Sequence, residues 1–167
     1  TASGSQAMKS RQTIDVLLLE DQPLISMDTE ASLRSRGFER ITPLAALASA
    51  TAWLSLNQPD VVIMETTLRG QPSCVLVSEL QSRGIAVIVY SGANRSLLQE
   101  HTAFDKVPWV SKPAEPDLLV GAIESVLSRP LAKPAPCRVS GRDDQVRIGL
   151  PKFFGDIAGK RPAGDHC

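Results

Sequence analysis

The sequence predicts a doubly wound α/β fold with a five-stranded parallel sheet, and three observations carry that reading. Short apolar runs recur along the chain, each is followed by a longer segment with helical spacing, and glycines stand just past two of those segments. The unit repeats five times in about 115 residues, an order that needs crossover helices between parallel strands.

The first run, Ile14 to Leu19, is continuous and, apart from Asp15 near its start, apolar, as expected of a strand covered on both faces. Pro23 to Arg36 then carries Leu24, Met27, Ala31 and Leu33 at roughly helical intervals, and Gly37 stops it. A weak strand is expected near Glu39 to Thr42, and the Ala-rich stretch Pro43 to Asn57 reads as a second helix. Pro59-Asp60 turns the chain into the apolar run Val61 to Met64. Ser73 to Arg83 reads as the third helix, closed by Gly84, and Ile85 to Tyr90 as the fourth strand. Asn94 to Thr102 reads as a short helix, Lys106 to Val110 as the fifth strand and Glu115 to Leu127 as the last helix, with Leu118, Leu119, Ala122, Ile123 and Val126 as its apolar positions.

From Arg129 the segment RPLAKPAP puts three prolines in eight residues, which reads as a linker. The rest, to Cys167, has one apolar cluster around Phe153-Phe154 and is too short for a core of its own, so 130–167 is expected to be a disordered tail. Residues 1–12 are expected to be a disordered leader or a cloning scar, leaving 13–129 as the domain. The leader has no apolar core of a secretory signal. The 18 basic and 18 acidic residues cancel, which argues against a nucleic-acid backbone as partner. No apolar run is long enough to span a membrane. The three cysteines, Cys74, Cys137 and Cys167, are widely spaced with no CxxC, which fits neither a disulfide framework nor a zinc site and points to a reducing, cytoplasmic setting. His101 and His166 read as surface residues.

In such sheets a ligand site lies beyond the carboxyl ends of the strands. At those ends the sequence places Glu20-Asp21 after the first strand, Glu65 after the third, Ser91-Gly92 after the fourth and Ser111-Lys112-Pro113 after the fifth. Three carboxylates in one crevice repel one another unless a cation joins them, and a hard ion such as Mg²⁺ is the ordinary partner. Each residue also has a plainer reading. The acidic pair can serve a helix dipole, Lys112 can be a solvated lysine beside a turn proline, Ser91 can be turn chemistry, and Trp109 can be simple packing.

Taken together, these strand ends resemble the receiver domain of two-component response regulators, over roughly Ile14 to Ser128. The resemblance implies a flavodoxin-like (βα)5 fold. It further implies that Glu20, Asp21, the residue at 65 and the backbone carbonyl of Thr67 hold Mg²⁺, that Ser91 and Trp109 form the switch, with Tyr90 able to share that role, that Lys112 contacts the phosphoryl oxygens, and that Pro113 follows a cis peptide. Position 65 is where the family has its phosphoacceptor aspartate, and Arg69 stands where the family usually has proline. The extra methylene of Glu65 displaces the carboxylate by roughly 1.3 Å, enough to impair in-line transfer and to weaken the Mg²⁺ site. Such a carboxylate imitates the phosphorylated state only in part. A natural loss of the acceptor and a substitution made to mimic activation both fit.

The expectation is therefore a stand-alone receiver of a phosphorelay that works by protein-protein contact and not as an enzyme. Its partner would be a sensor histidine kinase or histidine phosphotransfer protein, with a homodimer through the last two helices left open. A Mg²⁺-dependent phosphohydrolase is the alternative, although the acid that should follow two residues after the first-strand nucleophile is missing. A dinucleotide-binding protein lacks its GxGxxG.

Overall fold

The computed structural model describes residues 9–93 and 102–129. Its elements run β1 (Asp15–Leu19), α1 (Pro23–Arg34), β2 (Arg40–Leu44), α2 (Leu47–Leu54), β3 (Val61–Met64), β4 (Thr67–Leu68), β5 (Gln71–Pro72), α3 (Cys74–Ser82), β6 (Ala86–Ser91), β7 (Trp109–Ser111) and α4 (Pro116–Ser128). Five strands form one sheet in the order β2-β1-β3-β6-β7, parallel throughout, as the alternation of apolar runs and helical segments predicted. The order reverses direction at β1, so the crevice between the ends of β1 and β3 is where side chains from separate segments meet.

The central strands are apolar on both faces because both faces are covered. Leu17, Leu19, Val62, Met64, Val87 and Val89 pack into one core with Leu76, Val77 and Leu80 of α3, while Val16, Leu18, Val61, Ile63 and Ile88 pack into a second with Leu119, Ile123 and Val126 of α4. Alternate side chains along each strand thus feed opposite layers. At the end of α1 the chain turns through Gly37 at φ 93°, a left-handed conformation that lets the Phe38 amide donate back to the Leu33 carbonyl and buries both side chains.

Element boundaries and one helix face differ from expectation. Pro43 and Leu44 belong to β2 and not to the following helix, which begins at Leu47. An edge strand tolerates a proline, and β2 pairs with β1 alone. The fifth strand starts at Trp109 and reaches Ser111, later than Lys106 to Val110. On α1, Leu24 is 81% exposed and Met27 is exposed too, whereas Thr29 and Leu33 are buried, so the apolar spacing pointed partly to the wrong face. The helix expected at Asn94 to Thr102 lies outside the described residues except for Thr102, which opens a 3-10 turn through Phe104. The proposed leader at 1–12 is described only from Lys9; there Arg11 to Thr13 form a 3-10 turn, and Arg11 pairs with Glu124 of α4 at 2.6 Å. The tail at 130–167 lies outside the described residues. Among the described residues no helix is long and apolar enough to cross a membrane.

Candidate functional site at the carboxyl ends of the strands

Register explains why four chain segments converge. Leu19 lies opposite Met64, and Ser91 lies opposite Ser111, so the residues that follow these strands emerge at one rim of the sheet. They are Glu20-Asp21, Glu65, Gly92 and Lys112-Pro113. The Lys112 amide donates to the Ser91 carbonyl at 2.9 Å, which continues the β6-β7 ladder by one step, and the Lys112-Pro113 peptide is cis, as the resemblance implied.

Lys112 is the centre of the arrangement. Its Nζ donates to Glu65 Oε2 at 2.8 Å and also to Glu20 Oε2, and it lies 5.0 Å from the centroid of the Tyr90 ring. The three charged side chains are largely withdrawn from solvent, with 10% of Lys112, 13% of Glu65 and 2% of Glu20 exposed. Burial alone would push the Glu65 carboxyl up, but the Lys112 ammonium, with the Ser91 hydroxyl and the Thr66 amide, outweighs it and holds Glu65 below the ordinary carboxylate range. Burial likewise works to lower the Lys112 ammonium, and Glu20 and Glu65 outweigh it, so that group is held above its ordinary value.

Other oxygens of the site are engaged as well. Glu65 Oε1 accepts from the Thr66 amide at 2.8 Å and from the Thr66 hydroxyl at 3.0 Å. That hydroxyl lies 3.2 Å from Ser91 Oγ, which in turn accepts from the Ala93 amide at 3.0 Å. Glu20 Oε1 accepts from the Gln22 amide at 3.1 Å, and Asp21 Oδ2 accepts from the Arg69 amide at 2.7 Å. Arg69 at φ 50° and Gly70 at φ 78° form the tight turn between β4 and β5, which aims the Arg69 amide at Asp21. Where an arginine replaces the family's proline, the turn thus has an N–H to donate.

The residues predicted for the site do not all meet. Glu20, Glu65 and Lys112 are in direct contact, and Ser91 joins them through Thr66. Asp21, Thr67, Tyr90 and Pro113 line the open cleft above, together with Glu65 and Lys112. Trp109 packs edge-on against Phe104, with centroids 6.3 Å apart, and belongs to the core on the α3 side; its buried indole N–H has no acceptor among the described residues. Two contributors went unseen in the sequence. Thr66 bridges Glu65 to Ser91, and the fully buried Ser73 donates its hydroxyl to the Glu65 carbonyl. Neither stands at a sheet-strand end, so no periodicity marks them; a hydroxyl directly after the acid was the one available hint.

The carboxylates do not fit the expected Mg²⁺ site as they stand. Mg²⁺ demands near-octahedral oxygen coordination, usually one or two carboxylates with several waters. Here the oxygens of Glu20 and Glu65 that face each other share the Lys112 ammonium, and Asp21 is turned to the Arg69 amide. Among the described residues, no three His, Cys, Asp or Glu side chains are placed to hold a metal ion.

No protein-family model matches the chain. The transcriptional regulatory protein PdtaR of Mycobacterium tuberculosis is 32% identical over 116 residues, 68% of this chain and 57% of that protein. The solution structure of SdrG from Sphingomonas melonis Fr1 is 25% identical, with a TM-score of 0.61 over 71% of this chain and 99% of SdrG. The body of the chain is a response-regulator receiver domain. The receiver fold is also that of a domain from the sensor histidine kinase PA1611 of Pseudomonas aeruginosa PAO1, with a TM-score of 0.62 at 21% identity over 70% of this chain and 98% of that domain. That receiver was crystallised with a magnesium ion in its active-site cleft. Because this chain spans little more than half the length of PdtaR, the activity of the whole relative does not transfer with the domain.

Proposed function

We propose that the domain, taken as 13–129, is a signalling receiver that does not accept a phosphoryl group in the ordinary way, with Glu65 standing where an acceptor aspartate would be. It works by presenting a surface to a histidine kinase or phosphotransfer protein, not by turnover. The observation that carries this reading is the ion pair between Glu65 Oε2 and Lys112 Nζ at 2.8 Å. A nucleophilic carboxylate needs one oxygen free and in line with phosphorus, and positioning errors of ~1 Å cost on the order of 10²-fold. In Glu65 both oxygens are held, one by Lys112 and the other by Thr66.

Lys112 is also the group expected to meet phosphoryl oxygens, so its engagement by two carboxylates supports a site already closed on an internal anion. Ser91, through Thr66, senses the same carboxylate, which supports a partial imitation of the occupied state. The test is labelling with radioactive acetyl phosphate in Mg²⁺ buffer, comparing the parent protein with Glu65→Asp. The expected result is no stoichiometric label on the parent and a labile acyl phosphate on the aspartate variant. Stoichiometric labelling of Glu65 at the variant's rate would refute the reading.

A further inference from the structure

We infer that Lys112 is the built-in cation of this site and that the closed Glu20-Lys112-Glu65 cluster keeps divalent ions out. The inference rests on the strand-end site of the proposed function but concerns its cation and not its acceptor. Two carboxylates side by side in a shielded pocket need a positive charge between them. The Lys112 ammonium stands there, on Glu20 Oε2 and 2.8 Å from Glu65 Oε2. A Mg²⁺ ion using the same oxygens would sit against that ammonium, a repulsion strengthened by the low exposure of all three side chains. Glu20 is only 2% exposed, so an ion could reach its Oε2 only after Lys112 had left.

The identity of residue 65 closes the cluster. Cutting one methylene from Glu65 would withdraw its carboxylate by roughly 1.3 Å. The 2.8 Å contact would then stretch beyond hydrogen-bonding distance. The longer acid and the lysine are therefore complementary, and Asp21, on the cleft wall, commits its Oδ2 to the Arg69 amide at 2.7 Å. The Tyr90 ring 5.0 Å from Nζ adds a further favourable surface for the ammonium.

The test is calorimetric titration of the full chain with MgCl₂, and with MnCl₂ followed by electron paramagnetic resonance, at neutral pH. The parent should show no saturable binding up to about 10 mM ion, a range that would reveal the millimolar affinities of ordinary weak sites. Lys112→Met and Glu65→Asp should each gain saturable binding, at least about ten-fold tighter than any parent signal. Saturable parent binding, or folded variants that bind no better than the parent, would overturn the inference. A measurement that needs no variant guards against misfolding: acetylation of lysines by a water-soluble ester, read by mass spectrometry. Lys112 should be equally protected with EDTA and with Mg²⁺, and deprotection by Mg²⁺ would show that the ion displaces it. Acetyl phosphate labelling reports on the acceptor and metal titration on the cation, so this inference and the proposed function fail separately.

Discussion

The two rims of the sheet each bring a lysine to paired carboxylates, in opposite circumstances. At the amino rim, Asp15 opens β1 and Asp60 directly precedes β3, with Lys9 on Asp60 Oδ1 at 2.6 Å. At the carboxyl rim, Glu20 follows β1 and Glu65 follows β3, with Lys112 on both. Each set has two carboxylates and one lysine, and the amino rim adds Arg40, 3.5 Å from Asp15 Oδ2. Lys9 is 58% exposed and Asp60 21%, and Asp60 also binds the chain itself, through the Asp15 amide to Oδ2 at 2.9 Å. Lys112 and its partners are shielded. The amino-rim pair is a solvated ornament on a backbone hydrogen bond, whereas at the carboxyl rim the lysine is what makes two buried carboxylates tolerable.

The largest expected effect breaks the carboxyl-rim set. Lys112→Met leaves Glu20 and Glu65 shielded without a cation and should cost about 3–5 kcal/mol, read as a lower urea midpoint at an unchanged slope. The pH profile sharpens the same contrast. Because Glu65 is held below its reference value of 4.5 in the folded protein, its contribution is complete above that pH and is lost as the pH falls through the lower folded value. Parent stability should therefore drop on acidification below about 4.5. Without Lys112, burial acts on Glu65 against only the Ser91 and Thr66 hydrogen bonds, so the Lys112→Met variant should lose less stability than the parent on acidification below that value. The raised Lys112 ammonium contributes fully below its reference value of 10.5, and that contribution is lost as the pH rises through the higher folded value.

Smaller effects belong to the amino rim. Asp60→Ala removes the acceptor of the Asp15 amide and should cost ~1–2 kcal/mol by urea unfolding. Lys9→Met removes only the exposed ion pair and should change stability by no more than ~0.5 kcal/mol, less still in 1 M salt. If Lys9→Met proved as damaging as Lys112→Met, burial would not be what separates the two rims.

Much of this was legible in the sequence because the buried strands declare themselves. Val61 to Met64 has no polar residue, so the first polar side chain after it had to mark a strand end, and the same logic located Glu20, Ser91 and the Ser111-Lys112 pair. The sequence could not show which of those tips would touch. Asp21 sits beside Glu20 in the chain, yet its carboxylate goes to the Arg69 turn while Glu20 goes to Lys112, a choice made by tertiary geometry. Edge effects were equally hidden. Pro43 reads as a helix start until β2 is known to lie at the sheet margin. Leu24 and Met27 of α1 stand at spacings suited to a core yet are exposed, because α1 meets the sheet through the turn that holds Thr29 and Leu33.

Glu65 and Lys112 act as a coupled pair and not as two neighbours. A double-mutant cycle by urea unfolding at pH 7, with Lys112→Met, Glu65→Gln and the double variant, measures this directly. A coupling of at least about 2 kcal/mol is expected, with the double variant recovering much of what Lys112→Met loses. Additivity within ~0.5 kcal/mol would contradict it.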